Sequence, residues 1–453
     1  MPKPRGEAAP AVAESRSRIS VIGTGYLGAT HAACMAELGF DVVGLDVDQS
    51  KVDSLSAGRV PFYEPGLEEV LQRNLANGRL RFTTDYDEVA AFADIHFLCV
   101  GTPQRADSDA ADLAFVEAAV DDLASRLTGS AIIIGKSTVP VGTAGRLAER
   151  IAARAPTETR VDLGWSPEFL REGFGVEDTL HPNRIVIGTD SPAVEAAMRE
   201  LCALQIEQGI PFLVTDLPTA ELVKVAANAF LATKISFINA MAEVSEAAGA
   251  DVIKLAEALS HDDRIGGKFL GPGLGFGGGC LPKDIRAFMA RADELGVEPA
   301  LSFLREVDAI NQRRRARTVD IARGLIGGSF AGRTVGVLGA AFKPNSDDIR
   351  DSPALHVASA IAEQGGVVTV YDPEALDRAK QEFPALRYAH SMLEAVRDAE
   401  VVLLLTEWAE FRDADPDELA KVVAEPRIVD GRNALDPQHW RACGWTYRAL
   451  GRP

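Results

Sequence analysis

The sequence predicts an α/β protein with two Rossmann-like, doubly wound domains joined by a helical central domain. Three observations carry this. Short, near-continuous Val/Ile/Leu runs alternate with helical stretches at both ends of the chain, the pattern of buried parallel strands and their crossover helices. A GxGxxG pattern follows the first of these runs and opens the first helix. Between the two alternating regions lies a long stretch that reads as helix alone.

At 453 residues the chain exceeds what one ordinary core can serve. Residues 1–17 lack the apolar centre of a signal peptide and read as a disordered tail. The first domain is expected over 18–215. Its first strand is RISVIG (18–23), followed by a helix over 26–38 and a second strand, DVVGLD (41–46). IHFLCV (95–100), AIIIGKST (131–138), VDLGW (161–165), RIVIG (184–188) and PFLVT (211–215) extend a parallel sheet. The central domain is expected over 216–328. A helix over 218–248 has few breakers, and between Val225 and Ala242 only Lys234 is charged, so it must be buried on more than one side. With a further helix over 300–325, it forms the expected subunit interface of a homodimer or higher homo-oligomer. The last domain, 329–453, returns to alternation: RTVGVLG (333–339), a helix over 353–364, VVTVYD (367–372), VVLLLT (401–406) and RIVDG (427–431). Its first turn, GAAFKPN, lacks the glycine spacing of the N-terminal one.

Composition narrows the function. Apolar residues at 47% with 25% charged place the chain among soluble globular proteins. A net charge of -19 leaves no basic surplus for nucleic acid or an anionic membrane. The short run Arg313–Arg315 reads as a solvated helix face. No apolar run reaches the roughly 18 residues of a membrane span. Cys34, Cys99, Cys202, Cys280 and Cys443 show no CxxC spacing, and the histidines show no HxxxH pair, so neither a disulfide framework nor a metal site is expected. A reducing, cytoplasmic setting fits.

Gly23-Thr24-Gly25-Tyr26-Leu27-Gly28 stands between a strand and a helix, as a dinucleotide-binding turn requires. Gly23 makes the tight turn, Gly25 admits the pyrophosphate, and Gly28 lets helix and strand pack closely. Asp46 closes the second strand, where a carboxylate takes ribose hydroxyls and repels a 2′-phosphate; the expected cofactor is NAD. Cys34, Cys99 and Cys202 sit in apolar contexts and read as buried filler. Cys280 differs: it follows three glycines and precedes Pro282, Lys283 and Asp284. Lys283 is expected to favour the thiolate, and Asp284 adds a carboxylate nearby. A nucleophile and a structural cysteine in a tight loop are both open readings.

VIGTGYLG, CVGTP (99–103), KSTVPVGT (136–143), SPEFLREG (166–173), FGGGCLPKD and FKPNSDDIRDSP (342–353) resemble, in order, the nucleotide-sugar dehydrogenase family of UDP-glucose and GDP-mannose enzymes. The match runs over essentially the whole chain after the tail. It implies an NAD-dependent, four-electron oxidation of UDP-glucose to UDP-glucuronate through a cysteine thiohemiacetal and thioester. The resemblance makes Cys280 the nucleophile and Asp284 the residue that positions or activates water. Glu168 becomes a base for thioester hydrolysis, and Thr138 joins the water network. Lys224 and Asn228, four apart and so on one helix face, would hold water or an oxyanion.

Cofactor contacts are implied at Leu27, Lys51, Thr102, Thr138, Glu172, Lys283 and Arg350, beside the glycines and Asp46. Substrate contacts are implied at Glu168, Phe169, Leu170, Arg171 and Glu172, and at Lys224 and Asn228. Phe269, Leu270, Gly271, Pro272 and Gly273 join them, with Gly277 and Lys343; Arg264 and Arg432 are further candidates. The second lobe would take the substrate's nucleotide. The loop reads GGGC where many members read GGSC or GGYC. GDP-mannose is the alternative substrate, although HDDRIGGKFLGPGLGFGG (261–278) favours UDP-glucose. A non-catalytic subunit sensing NAD or a nucleotide sugar is the alternative outside enzymes.

Overall fold

The structure, a computed structural model, describes residues 17–453; the expected tail at 1–16 lies outside them. The first sheet has eight strands: β1 Arg18–Ile22, β2 Asp41–Leu45, β3 Leu80–Thr83, β4 Ile95–Leu98, β5 Ala131–Gly135, β6 Val161–Trp165, β7 Ile185–Gly188 and β8 Phe212–Thr215. Their order is β3-β2-β1-β4-β5-β6-β7-β8. Strands β1, β2, β4 and β5 are buried nearly end to end, which is why they are continuous Val/Ile/Leu runs.

One joint departs from the expected parallel sheet. β7 runs antiparallel to β6 and meets it at a single pair, Trp165 opposite Gly188. The connection explains it: after β6 the chain runs through an irregular loop and the short helix Gly175–Leu180, and no long crossover helix returns it to the starting edge. Trp165 is seated on Gly135, where an added Cβ would lie 2.1 Å from the indole.

The second sheet comprises β9 Thr334–Leu338, β10 Val367–Tyr371, β11 Arg387–Tyr388, β12 Val401–Leu404, β13 Arg427–Asp430 and β14 Thr446–Ala449, in the order β11-β10-β9-β12-β13-β14. All its joints are parallel. The winding β3-β2-β1-β4-β5 of the first lobe therefore recurs as β11-β10-β9-β12-β13. The first turn recurs as well. Gly23 (φ 87°) and Gly339 (φ 112°) each follow the first strand, and their N–H groups donate to Leu45 O and Tyr371 O, both at 2.7 Å.

Between the lobes, the helix Leu217–Ala248 packs against the helices Leu281–Glu294 and Phe303–Leu325. Asp216 caps its start through the Thr219 N–H, and Gly249 (φ 71°) ends it. By length and composition alone this helix could cross a bilayer. Its buried Glu221, Lys224 and Asn228 and its contacts with both neighbours mark it as the core helix of the central region.

The arginine run overturns an expectation. Arg313 is exposed to water, but Arg314 is 0% and Arg315 4% exposed. Consecutive residues on a helix lie about 100° apart, so a helix wedged between neighbours must turn some of them inward. The inward pair meets carboxylates: Arg314 reaches Glu246 at 3.2 Å, and Arg315 reaches Asp351 at 2.8 Å.

Gly135→Ala should cost about 1–3 kcal/mol by pushing on Trp165. The check is urea unfolding, with a lower midpoint at unchanged slope expected; a wild-type midpoint would mean that the indole yields freely.

Candidate active site

Cys280 stands at the N-cap of the helix Leu281–Glu294, with Pro282 in its first turn. The loop before it is fixed from two sides. Asn311, on the helix Phe303–Leu325, brackets Phe276: it accepts from the Phe276 N–H at 2.8 Å and donates to the Phe276 carbonyl at 2.9 Å. Gly275 (φ 100°) tolerates no side chain there, because a Cβ would lie 2.2 Å from Asn311 Oδ1. From the second lobe, the Gly278 N–H donates to Arg350 O at 2.8 Å, and a Cβ on Gly279 would lie 2.2 Å from the Arg350 guanidinium. Gly277 is equally confined, its Cβ direction ending 2.4 Å from Asp351 O.

Two buried polar pairs face the thiol. Lys224 Nζ lies 2.9 Å from Glu168 Oε1. Asp284, 3% exposed, accepts from Asn228 Nδ2 at 2.7 Å and pairs with Lys283 Nζ at 2.9 Å. Lys224 and Asn228 thus share one helix face, as their spacing requires, and point into one cluster. Burial pulls the Lys224 ammonium down, but Glu168, Cys280 and Asp284 outweigh it and leave the pKa raised.

The expectation that Lys283 favours the thiolate is corrected here. Its ammonium is committed to Asp284, and the cation that acts on the sulfur is Lys224. Residue 280 is accessible at the rim. Protein groups nonetheless crowd its sulfur, and burial, then Asp284 and Glu168, push the thiol up to about 12. At neutral pH the group is a thiol.

A second cluster joins the lobes. Burial, then Asp348, raise Glu172 to about 7, against the opposing pull of Arg350, Ser346 and Lys343. Ser346 Oγ donates to the Glu172 carboxylate at 2.9 Å, Lys343 Nζ donates to the Glu172 carbonyl at 2.6 Å, and Arg350 lies 3.3 Å from the carboxylate.

The fingerprint fits a dinucleotide. A Cβ on Gly28 would lie 1.8 Å from Gly23 O, and one on Gly23 would lie 2.9 Å from Val100, so turn, strand and helix meet there through backbone. Gly25 has nothing within 4 Å of its Cβ direction, leaving open space at the helix N-terminus for phosphate oxygens. Asp46 holds the Thr24 N–H at 2.9 Å, with Lys51 Nζ 3.6 Å away. Leu27 is half-buried beside it, and Thr102 Oγ1 donates to Thr138 O at 2.6 Å. In the second lobe the matching carboxylate is likewise engaged with its turn, and in addition with an indole. Asp372, 0% exposed, accepts from the Ala340 and Ala341 N–H groups at 2.7 and 2.9 Å and from the Trp408 indole at 3.1 Å.

Other expected contacts lie at varying remove. Phe169 stacks under Arg184 at 3.7 Å, with Lys224 at 5.8 Å. The Leu170 N–H donates to Glu168 at 2.5 Å, while Arg171 pairs with Asp178 at 2.6 Å. Leu270 is buried, Gly271 exposed, and Gly273 N–H donates to Asn239 Oδ1 at 2.8 Å. Pro272 O accepts from Asn433, and Phe269 adopts φ 65°. Arg432 lies inside the seam, donating to the Leu405, Gly275 and Phe342 carbonyls. Arg264 stands apart: it is largely exposed and pairs with Asp262 of its own turn.

Glu221, Ser346 and Asp348 escaped the sequence reading. Glu221 accepts from the Gly142 and Ala144 N–H groups, both at 2.6 Å, and Arg291 donates to Val141 O at 2.9 Å. Together they tie the loop carrying Thr138 to the helices carrying Lys224 and Asp284. The available signal was spacing: 221, 224 and 228 share one face of an apolar helix.

The chain matches three models of one family: "UDP-glucose/GDP-mannose dehydrogenase family, NAD binding domain" over residues 17–204, its central domain over 218–313 and its UDP binding domain over 336–437. It is 40% identical over 439 residues to a UDP-glucose 6-dehydrogenase of Rhizobium meliloti (strain 1021), covering 96% of this chain and 100% of that one. The UDP-glucose 6-dehydrogenase TuaD of Bacillus subtilis (strain 168) is 40% identical over 438 residues, covering 96% and 93%. A solved UDP-glucose dehydrogenase from the hyperthermophilic archaeon Pyrobaculum islandicum superposes with a TM-score of 0.89 at 36% identity, covering 99% and 100%.

A thiol at about 12 should alkylate slowly at pH 7 and accelerate about tenfold per pH unit up to pH 10. Peptide mass spectrometry after iodoacetamide treatment reads this at Cys280; a plateau near pH 8.5 would contradict the burial and the carboxylates that raise the thiol.

Proposed function

Because this chain belongs to the UDP-glucose/GDP-mannose dehydrogenase family, with NAD as its cofactor, we propose that the Cys280 cluster carries UDP-glucose to UDP-glucuronate through a covalent thioester. The observation that carries the residue roles is the convergence of Lys224–Glu168 and Asn228–Asp284 on one thiol. Two NAD molecules, held in turn by the glycine fingerprint and Asp46, would each supply the acceptor for one hydride.

The first oxidation removes a hydride from C6 of the glucose, and the proton of its hydroxyl passes to a water held by Lys224 and Asn228, leaving an aldehyde. Cys280 Sγ then bonds to C6, and its proton passes to a neighbouring carboxylate. Lys224 and Asn228 steady the oxygen of the thiohemiacetal, where charge develops. Loss of the second hydride from C6 leaves a thioester. Water attacks it as Glu168 accepts a proton, the C–S bond breaks, and the thiol recovers its proton. A thiol that is neutral at rest suits this sequence: its nucleophile forms as the aldehyde arrives, and the carboxylates that suppress it are the bases that take its proton. Asp284 orients the water or holds Asn228.

The second lobe takes the uridine nucleotide, with Lys343 turning from Glu172 O toward the substrate. The first turn of this lobe, GAAFKPN, lacks the glycines that admit a pyrophosphate, which supports this division between the lobes. Two copies of the chain join through the long helix, where Phe230, Phe237 and Val244 recur every seven residues and stand exposed. Phe230→Asp with Phe237→Asp should halve the mass measured by sedimentation; an unchanged mass rejects this face.

A panel of nucleotide sugars tests the reaction. Two NADH per UDP-glucose are expected, whereas turnover only with GDP-mannose would select the other branch, and none with any sugar would leave a sensing protein. Cys280→Ser should form NADH in a near-stoichiometric burst and gain the mass of a UDP-glucuronyl ester, because an oxygen ester hydrolyses more slowly than a thioester. Steady wild-type turnover by this variant returns Cys280 to a structural role.

A further inference from the structure

Glu64 is a buried carboxylate with no part in the steps above. It lies in the loop between the helices Gln49–Ser56 and Leu67–Ala76 and is 7% exposed. No ion pair reaches it among the described residues. A buried carboxylate without a cation is costly unless donors surround it. Glu64 has three: the Gly173 N–H at 2.7 Å and the Tyr26 hydroxyl at 2.5 Å on Oε2, and the Gly175 N–H at 2.6 Å on Oε1. Three donors converging on two oxygens specify a carboxylate, since glutamine would offer one acceptor and turn an N–H against another.

Where those donors lie is informative. Gly173 directly follows Glu172, Gly175 lies two residues further, and Tyr26 sits inside the glycine fingerprint. The segment has no freedom on its other side. Gly173 is at φ 78°, and a Cβ there would lie 2.4 Å from Asn345 O of the second lobe; a Cβ on Gly175 would lie 2.7 Å from the Tyr26 hydroxyl. The Glu64 loop also meets the second lobe directly: Arg378 donates to Pro61 O at 3.2 Å and pairs with Asp347 at 3.0 Å.

We propose that Glu64 is a positioning residue that sets the Glu172 carboxyl relative to the cofactor fingerprint, by gripping the Gly173 and Gly175 peptides together with the Tyr26 hydroxyl. It touches neither substrate nor cofactor and acts through Glu172. The proposal rests on Glu172 being a residue of the reacting site.

The test is a double-mutant cycle in the full chain: wild type, Glu64→Gln, Glu172→Gln and the double variant, assayed with UDP-glucose and NAD. Wild-type turnover is the separate control, because its absence strikes the proposed reaction and not Glu64. Glu64→Gln should lower kcat about tenfold or more, as a small misplacement of a reacting group does. The NAD dissociation constant, from titration calorimetry, should stay within about twofold. The double variant should be no slower than Glu172→Gln alone, within about twofold, because both act through one group. In Glu64→Gln the limb of the kcat–pH profile that disappears in Glu172→Gln should also move. Multiplying effects, or a lower melting temperature with wild-type kcat and pH profile, would overturn the proposal. If Glu64→Gln does not fold, Tyr26→Phe removes one donor only. Its smaller loss of kcat should vanish in the Glu172→Gln background, and a loss that persists there would overturn it too.

Discussion

From Gly277 to Gly279 the chain meets the second lobe as bare backbone, and at Gly275 it meets the central helix in the same way. Any Cβ at Gly275, Gly277 or Gly279 would collide with Asn311 Oδ1, Asp351 O or the Arg350 guanidinium. Everything else in the site depends on that close approach. It sets Cys280 at the start of its helix, beneath the Lys224–Glu168 and Asn228–Asp284 pairs. It also brings Lys343, Ser346 and Arg350 of the second lobe onto Glu172 of the first. A side chain at Gly277 or Gly279 would hold the lobes apart and let water in among charges whose interactions need its exclusion.

The enclosed charges then determine each other's state. Burial, then Asp284, Glu168 and Glu172, oppose ionisation of the thiol, and Lys224 acts against them. Lys224 is kept charged by Glu168 and Asp284, despite its burial. Glu172 is lifted toward neutrality by burial and Asp348. The sulfur is therefore uncharged at rest, with carboxylates around it.

The two lobes share a winding and a first turn, and diverge at one carboxylate. Asp46 closes β2 beside an open space at Gly25, while Asp372 closes β10 with one oxygen accepting from Ala340, Ala341 and Trp408. One architecture thus presents two different ligand surfaces, as a fold that hosts grafted sites allows.

Long Val/Ile/Leu runs made the buried strands readable, since a strand covered on both faces admits little else. β3, β11 and β14 left no such trace, being short and partly exposed, with polar residues interleaved. The antiparallel turn of β7 was equally hidden, because direction depends on where the connecting loop lands and not on the strand's residues. Locally, the glycines, Asp46, Cys280 and the spacing of Lys224 and Asn228 were legible because backbone conformation and helical period are short-range. Glu64, Glu221 and the inward turn of Arg314 and Arg315 were not, for their partners lie far along the chain. The thiol's protonation was misjudged from its neighbour Lys283. The sequence by itself determined the fold class, the cofactor turn and which residues could do the chemistry. Only the tertiary structure decided their charge states and the register of the lobes, because electrostatic fields in an enclosed site sum over residues that only folding brings together.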